Sequence, residues 1–217
     1  MPLKLYGSNI FRGVKLVVAA QYAGVELEIV EYNPHKATEQ EKAEYLKKNP
    51  NGLVPVLETP EGFIYESNAI LRYLARHNNV KLYGNTTYEH ALVDQYLDWI
   101  ALTLEPAMYK YIVPFLGHAK VEKAAHDEAL ETLKKALRIL DDRLKQSKYL
   151  AGETLTIADI QAVAVVGMLF RYCFDEKARK PFHNLVKYFE QVSNEENFKK
   201  AVGRPHLCKT SLPVFSA

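Results

Sequence analysis

The stretch Asn49-Pro50-Asn51-Gly52-Leu53-Val54-Pro55-Val56-Leu57, followed nine residues later by Glu66-Ser67-Asn68-Ala69-Ile70, has residue types and spacing suited to holding a peptide. It reads as a strand entered through a Val-Pro bond, a hairpin, a second strand, and a helix opening on Glu-Ser. Pro55 removes one ladder donor, and a kinked or cis Val54–Pro55 bond leaves the Val54 amide and carbonyl pointing outward. Ser67 stands where a helix N-cap belongs, and backbone N–H groups at such a terminus converge on an anion. Taken singly, each residue fits a generic hairpin followed by a capped helix. The order of all of them is the signal.

The elements that must position this block read off hydrophobic periodicity. Leu3 to Tyr6 alternates as a strand. Arg12 to Ala23 is a helix with Val14, Val17, Val18 and Tyr22 at helical spacing, and Gly24 is its C′ residue. Val25 to Tyr32 alternates again. Thr38 to Lys48 is a charged helix with Ala43 and Leu46 inward. Val54–Glu58 and Phe63–Tyr65 are strands joined by the turn Thr59-Pro60-Glu61-Gly62. Ser67 to Arg76 is a helix with Ile70, Leu71 and Leu74 on one face.

Residues 78–88 are a polar linker anchored by Leu82, and everything after them reads as helix. Glu89 to about Glu105 is one long helix, and Glu105 to Phe115 is an aromatic kink after it. Lys120 to Gln146 carries a stripe of Leu130, Leu133, Leu137, Leu140 and Leu144. Thr156 to Phe174 is apolar enough to be a buried central helix, opened by a Thr156–Asp159 capping box that serves folding. Helices over Pro181–Ser193 and Glu195–Val202 follow, then an irregular tail from Gly203 with Pro205 and Pro213. Mixed α/β first and all-α second predicts two subdomains, 1–77 and 89–217, around the linker.

Composition removes several function classes. A hydrophobic fraction of 48% supports a packed core, and a net charge of +2 gives no reason to expect nucleic acid or an anionic membrane as partner. Met1 to Lys4 opens a strand rather than a signal peptide, and no apolar run reaches about 18 residues. Cys173 and Cys208 make no metal spacing and read as free thiols in a reducing compartment. His77, His90, His118 and the other histidines do not cluster, so no metal site is expected. The expectation is a cytoplasmic protein without a metal.

With these residues in place, the chain resembles the cytosolic glutathione transferase family, over essentially its whole length. The resemblance implies a thioredoxin-like α/β half that binds glutathione and an all-α half that shapes an acceptor pocket. It implies that Val54 and Pro55 pair with the cysteinyl part of glutathione and that Glu66 and Ser67 hold the γ-glutamyl carboxylate. Many family members carry lysine or glutamine where this chain has Leu53; Gln40 or Lys42 on the preceding helix substitutes for it, or is plain helix surface. Serine-type members place an activating serine four residues ahead of an arginine opening the first helix, as Ser8 stands to Arg12. A hydroxyl donating to the glutathione sulfur, with the positive end of a helix, favours the thiolate. Lowering a thiol pKa from about 8.5 by two units is worth about 2.7 kcal/mol. Ser8 or Asn9 capping the helix is the competing reading, and Tyr6, which some classes use, ranks lower because it alternates as a strand residue. Met108, Tyr109, Tyr111 and Phe115 line the acceptor pocket by the same resemblance; core and dimer packing is their other reading.

Within the family, Ala19 to Gly24, Ile112-Val113-Pro114 and Ala201 to Lys209 look like the gamma-subunit branch of eukaryotic translation elongation factor 1. The resemblance implies a homodimer, and that branch implies docking of nucleotide-exchange subunits of the elongation factor 1 complex, with glutathione binding retained or vestigial and serine-type conjugation as an activity it could retain. A free-standing transferase acting on small electrophiles is the alternative.

Overall fold

A computed structural model describes residues 2–8, 11–79, 81–117 and 120–211. The Asn9, His118 and Pro213 expectations lie outside them. The chain divides into two compact units, Met1–Tyr83 with Glu196–Gly203, and Gly84–Glu195 with Arg204–Ala217. The first break falls inside the polar segment 78–88, and Leu82 is buried there as expected. The return of 196–203 to the first unit is a feature that the sequence pattern did not separate.

The first unit is built on β1 (Leu3–Tyr6), α1 (Phe11–Ala23), β2 (Leu27–Val30), α2 (Glu39–Leu46), β3 (Val56–Thr59), β4 (Gly62–Tyr65) and α3 (Ser67–Arg76). The sheet order is β2-β1-β3-β4, with β1 and β2 parallel and the other pairs antiparallel. A parallel pair joined through a helix, then a hairpin, is the thioredoxin-like arrangement that the βαβ and ββα patterns required. Leu5 and Leu57 are fully buried on one sheet face. Here α1 packs on α3 and on the helix Glu196–Val202; Gly13, Leu16, Val18, Ala19, Ala20 and Ala23 are buried on it, with Val14, Val17 and Tyr22 only half-buried. The small residues allow a close approach that the valine spacing did not reveal.

The inward face of α2 differs from the expected one. Ala43 and Leu46 are exposed, and Tyr45 is the buried residue. Its ring stacks on Tyr32 at 3.8 Å and meets Tyr6 edge-on at 6.0 Å. An aromatic pair of this kind buries more surface than Ala and Leu on a short, strongly charged helix.

The second unit is helical: α4 (Thr87–Trp99), α5 (Glu105–Ile112), α6 (Lys123–Arg143), α7 (Ile157–Tyr172), the single turn α8 (Glu176–Arg179) and α9 (His183–Ser193). The last helix, α10 (Glu196–Val202), packs on α1 in the first unit. Between α4 and α5 lies a π-helical turn, Ile100–Leu104. Pro106 has no N–H to give the preceding turn, and widening that turn lets the helix run on into α5 rather than break into the expected kink. Leu133, Leu137 and Leu140 of α6 are fully buried, whereas Leu130 and Leu144 at the ends of the stripe are half-buried. The α7 helix is buried along almost its whole length.

The Thr156–Asp159 capping box is present at the start of α7. Asp159 is fully buried and accepts from Leu150 N–H at 2.9 Å, Thr156 N–H at 2.8 Å, Thr156 Oγ1 at 2.9 Å and Tyr188 Oη at 2.7 Å. Two further Thr-x-x-Glu boxes, Thr38–Glu41 and Thr86–Glu89, open α2 and α4 at the surface. No helix among the described residues is long and apolar enough to cross a membrane. Cys173 and Cys208 are both free and buried.

Candidate functional site

Strand register brings the candidate residues together. Tyr6 of β1 pairs with Val56 of β3, and Val56 pairs with Tyr65 of β4. Ser8 lies two residues beyond Tyr6, Val54 two before Val56, and Ser67 two beyond Tyr65. Because β3 runs antiparallel to both neighbours, all three segments leave the sheet at the same end. The site is thus one end of the sheet, where three connections and two helix starts, α1 and α3, converge.

Backbone packing holds these connections. Val54–Pro55 is a cis peptide. Gly7 has φ +77°, and a Cβ built there would sit 2.4 Å from Val54 Cβ, so only glycine allows the β1–α1 connection to lie against Val54. A Cβ on Gly13 would fall 2.6 Å from Gly7 O, Ser8 Cα and Ser8 O. The first turn of α1 therefore rests directly on the Ser8 backbone. On the other side of Val54, the carbonyl of the exposed Leu53 accepts from Asn49 Nδ2 at 2.7 Å and Tyr45 Oη at 3.2 Å. Asn49 Oδ1 accepts from Asn51 N–H at 3.0 Å, closing the Asn49–Gly52 turn.

The start of α3 corrects one expectation. Ser67 is the first helical residue, and the N-cap is Glu66, at φ +66° and ψ +110°, with no side-chain capping bond. Its carbonyl already accepts from Ile70 N–H at 3.0 Å. A non-glycine residue in this region costs about 1–3 kcal/mol and is found chiefly where surrounding structure enforces it, often at functional sites. Glu66 is exposed and Ser67 half-exposed, so both are open to a ligand.

Other candidates are distributed differently. Tyr6 Oη donates to Glu58 Oε2 at 2.6 Å, towards the far end of the strand; burial, then the Glu58 carboxylate, push its hydroxyl up to about 12. That bond directs the Tyr6 hydroxyl to Glu58. Gln40 is exposed on the first turn of α2, and Lys42 is paired with Glu39 at 2.8 Å. In the helical unit Met108 is 1% exposed and Tyr111 is packed among Phe115, His126 and Phe174, whereas Tyr109 is 53% exposed and Phe115 half-buried. Tyr109 lines a cavity of about 450 Å³ with Val113, Val121 and His126. A groove of about 810 Å³ lies elsewhere in that unit, over Phe174, Phe182 and Ile139. No group of His, Cys, Asp or Glu able to hold a metal occurs among the described residues.

Sequence reasoning missed two residues that shape this end of the sheet, Tyr45 and Lys15, and named Asn49 without giving it a role. Lys15 is 1% exposed on α1, and its Nζ donates to Asn68 Oδ1, beside Ser67, at 2.7 Å. A lysine within the apolar run Val14 to Ala20 was the available signal.

Comparison with known proteins agrees with this architecture. Residues 1–76 match the glutathione S-transferase N-terminal domain and residues 104–196 the C-terminal domain. The chain is 36% identical over 201 residues to a probable elongation factor 1-gamma 2 of Arabidopsis thaliana, covering 92% of this chain and 48% of that one. It is 36% identical over 208 residues to elongation factor 1-gamma of Artemia salina, covering 95% and 47%. It therefore spans about half the length of the curated relatives it matches. A solved glutathione S-transferase-I bound with lactoylglutathione superposes with a TM-score of 0.80 at 30% identity, covering 93% of this chain and 98% of that one. The fold, both domain matches and the full-length match to a solved transferase make this chain a member of the glutathione S-transferase family, similar in sequence to elongation factor 1-gamma.

Proposed function

We propose that this chain is a glutathione-binding domain of the elongation factor 1-gamma type, which docks exchange-factor subunits of the elongation complex and retains serine-type chemistry on the glutathione thiol. The observation that carries the reading is the register that gathers Ser8, Val54 and Ser67 at one end of the sheet, in a chain matching elongation factor 1-gamma over more than nine-tenths of its length. In this reading the Val54 and Pro55 backbone pairs with the cysteinyl part of glutathione. The open first turn of α3, with Glu66 and Ser67, takes the γ-glutamyl carboxylate, and Gln40 lies towards the glycyl end. The Ser8 hydroxyl donates to the sulfur, and the N-terminus of α1 adds positive potential that favours the thiolate. The chain works in the cytoplasm as a two-fold homodimer.

A second reading, a transferase conjugating glutathione to small electrophiles, is favoured by the 30% identity and TM-score of 0.80 to a solved glutathione S-transferase. There the thiolate attacks an electrophilic carbon, forming the C–S bond as the leaving group departs with the bonding pair. Tyr109 and Phe115, with Met108 and Tyr111 behind them, shape the acceptor side.

Calorimetry with glutathione on wild type and Ser8→Ala, with a chloronitroarene conjugation assay on the same samples, tests both. The expected result is binding by both proteins and turnover lost by about 10²-fold in Ser8→Ala. Undetectable glutathione binding by wild type overturns the glutathione site. Docking is tested separately by titration with a purified exchange-factor subunit, and absence of a complex at micromolar concentrations sinks that part.

A further inference from the structure

Lys15 is an unexpected residue on an interior helix face. Its neighbours on the buried side of α1 are Gly13, Leu16, Val18 and Ala19, and it is as buried as they are. Taking an ammonium out of water is costly unless hydrogen bonds and charge compensate it. A methionine of the same length would fill the space between α1 and α3 without that cost. One use of the ammonium is on α3. Nζ donates to Asn68 Oδ1 at 2.7 Å, and Asn68 is the second residue of α3, adjacent to Ser67.

The electrostatics point the same way. Cations stabilise helix C-termini and disfavour N-termini, where the backbone already carries partial positive charge. Lys15 is at the wrong end of α3 for the stability of α3 alone. An anion bound at that first turn reverses the sign of the interaction and is attracted by both the amides and the ammonium. The placement makes sense for a turn that receives a carboxylate.

We propose that Lys15 is a positioning residue for the γ-glutamyl carboxylate. Its ammonium holds Asn68, fixes the first turn of α3 with Ser67 in place, and raises the positive potential at the carboxylate position without touching the ligand. The proposal rests on the glutathione site of the preceding section.

The test compares two ligands by calorimetry. One is glutathione; the other is 4-aminobutyryl-cysteinylglycine, which is glutathione without the γ-glutamyl carboxylate. Wild type is expected to prefer glutathione. Lys15→Met is expected to weaken glutathione by about tenfold, the worth of one charge-assisted interaction, and to leave the carboxylate-free tripeptide within twofold. Asn68→Ala, which cuts the same link from the exposed side of the pair, is expected to show the same ligand-selective loss. It keeps the proposal testable if Lys15→Met does not fold. Equal losses for both ligands, or no loss for either, overturn the proposal and leave Lys15 as a packing residue. Wild type that binds both ligands equally keeps the glutathione site and overturns this role for Lys15. Wild type that binds neither overturns the site and the proposal together.

Discussion

Two helix starts in this molecule use the same physical device in opposite ways. At α7 the polar groups around the helix start are closed from within. Asp159 takes Thr156 N–H and, with its other oxygen, Leu150 N–H and the Tyr188 hydroxyl, all in the interior. At α3 no side chain caps the first turn; the capping position is a glutamate held at positive φ, and the turn faces outward. A helix N-terminus must satisfy its four free N–H groups with side chains, water or a ligand. The helical unit resolves this with its own side chains and gains stability. The thioredoxin-like unit holds α3 through its buried Ile70, Leu71 and Leu74 and the Lys15–Asn68 bond, with no side-chain cap on its first turn.

That contrast fails if α7 proves to matter for ligand binding more than for folding. Asp159→Ala removes the acceptor for four interior donors at once. Leaving buried donors unsatisfied costs about 1–3 kcal/mol each, partly recovered by rearrangement, so a loss of about 3–5 kcal/mol is expected. Urea denaturation of the variant should show a much lower midpoint, while glutathione affinity measured on the folded protein stays near that of wild type. A large affinity loss in fully folded Asp159→Ala would merge the two helix starts into one functional system.

The next test concerns how backbone packing positions the first unit's site. Gly13→Ala puts a methyl 2.6 Å from the Ser8 backbone, where no flexible side chain can give way. Either the Ser8 connection or the first turn of α1 must shift. Overpacking of this kind costs about 1–3 kcal/mol, and a displacement near 1 Å at a reacting group costs up to about 10²-fold in rate. The expected signature is a fall in kcat for conjugation with a smaller change in glutathione affinity, because Val54 and Ser67 are held by other contacts. An unchanged kcat would mean that the position of Ser8 does not limit the chemistry.

How much of this was legible in the sequence depends on the range of the interactions. Alternation in Leu3–Tyr6, the leucine stripe of Lys120–Gln146 and the apolar Thr156–Phe174 run are local patterns, and each marked a real element. The Val54-Pro55 and Glu66-Ser67 pairs were visible because a cis-compatible proline and a helix start are also local signals. Three features were not local. The burial of Tyr45 depends on Tyr32 and Tyr6 from other elements, so the period within α2 alone pointed to Ala43 and Leu46. The continuation of helix past Pro106 depends on a widened turn, which residue types do not announce. The need for glycine at 7 and 13 arises from contacts with Val54 and with the Ser8 connection. The Thr38–Glu41 and Thr86–Glu89 boxes were readable by the pattern that revealed Thr156–Asp159, and only the buried one drew notice.

The finest test of the contrast separates stability from binding at one residue. Ser67 follows the N-cap and makes no capping bond, so Ser67→Ala is expected to change folding stability by no more than about 0.5 kcal/mol, as at an ordinary surface position. A serine that capped the helix would instead cost about 1 kcal/mol on replacement by alanine. Glutathione affinity, by contrast, should fall about tenfold, since a hydroxyl donating to a carboxylate is worth more than a neutral pair. The two numbers come from a urea curve and a calorimetric titration on the same protein. A stability loss with unchanged affinity would make Ser67 a folding residue like Thr156, and the two helix starts would then differ only in burial.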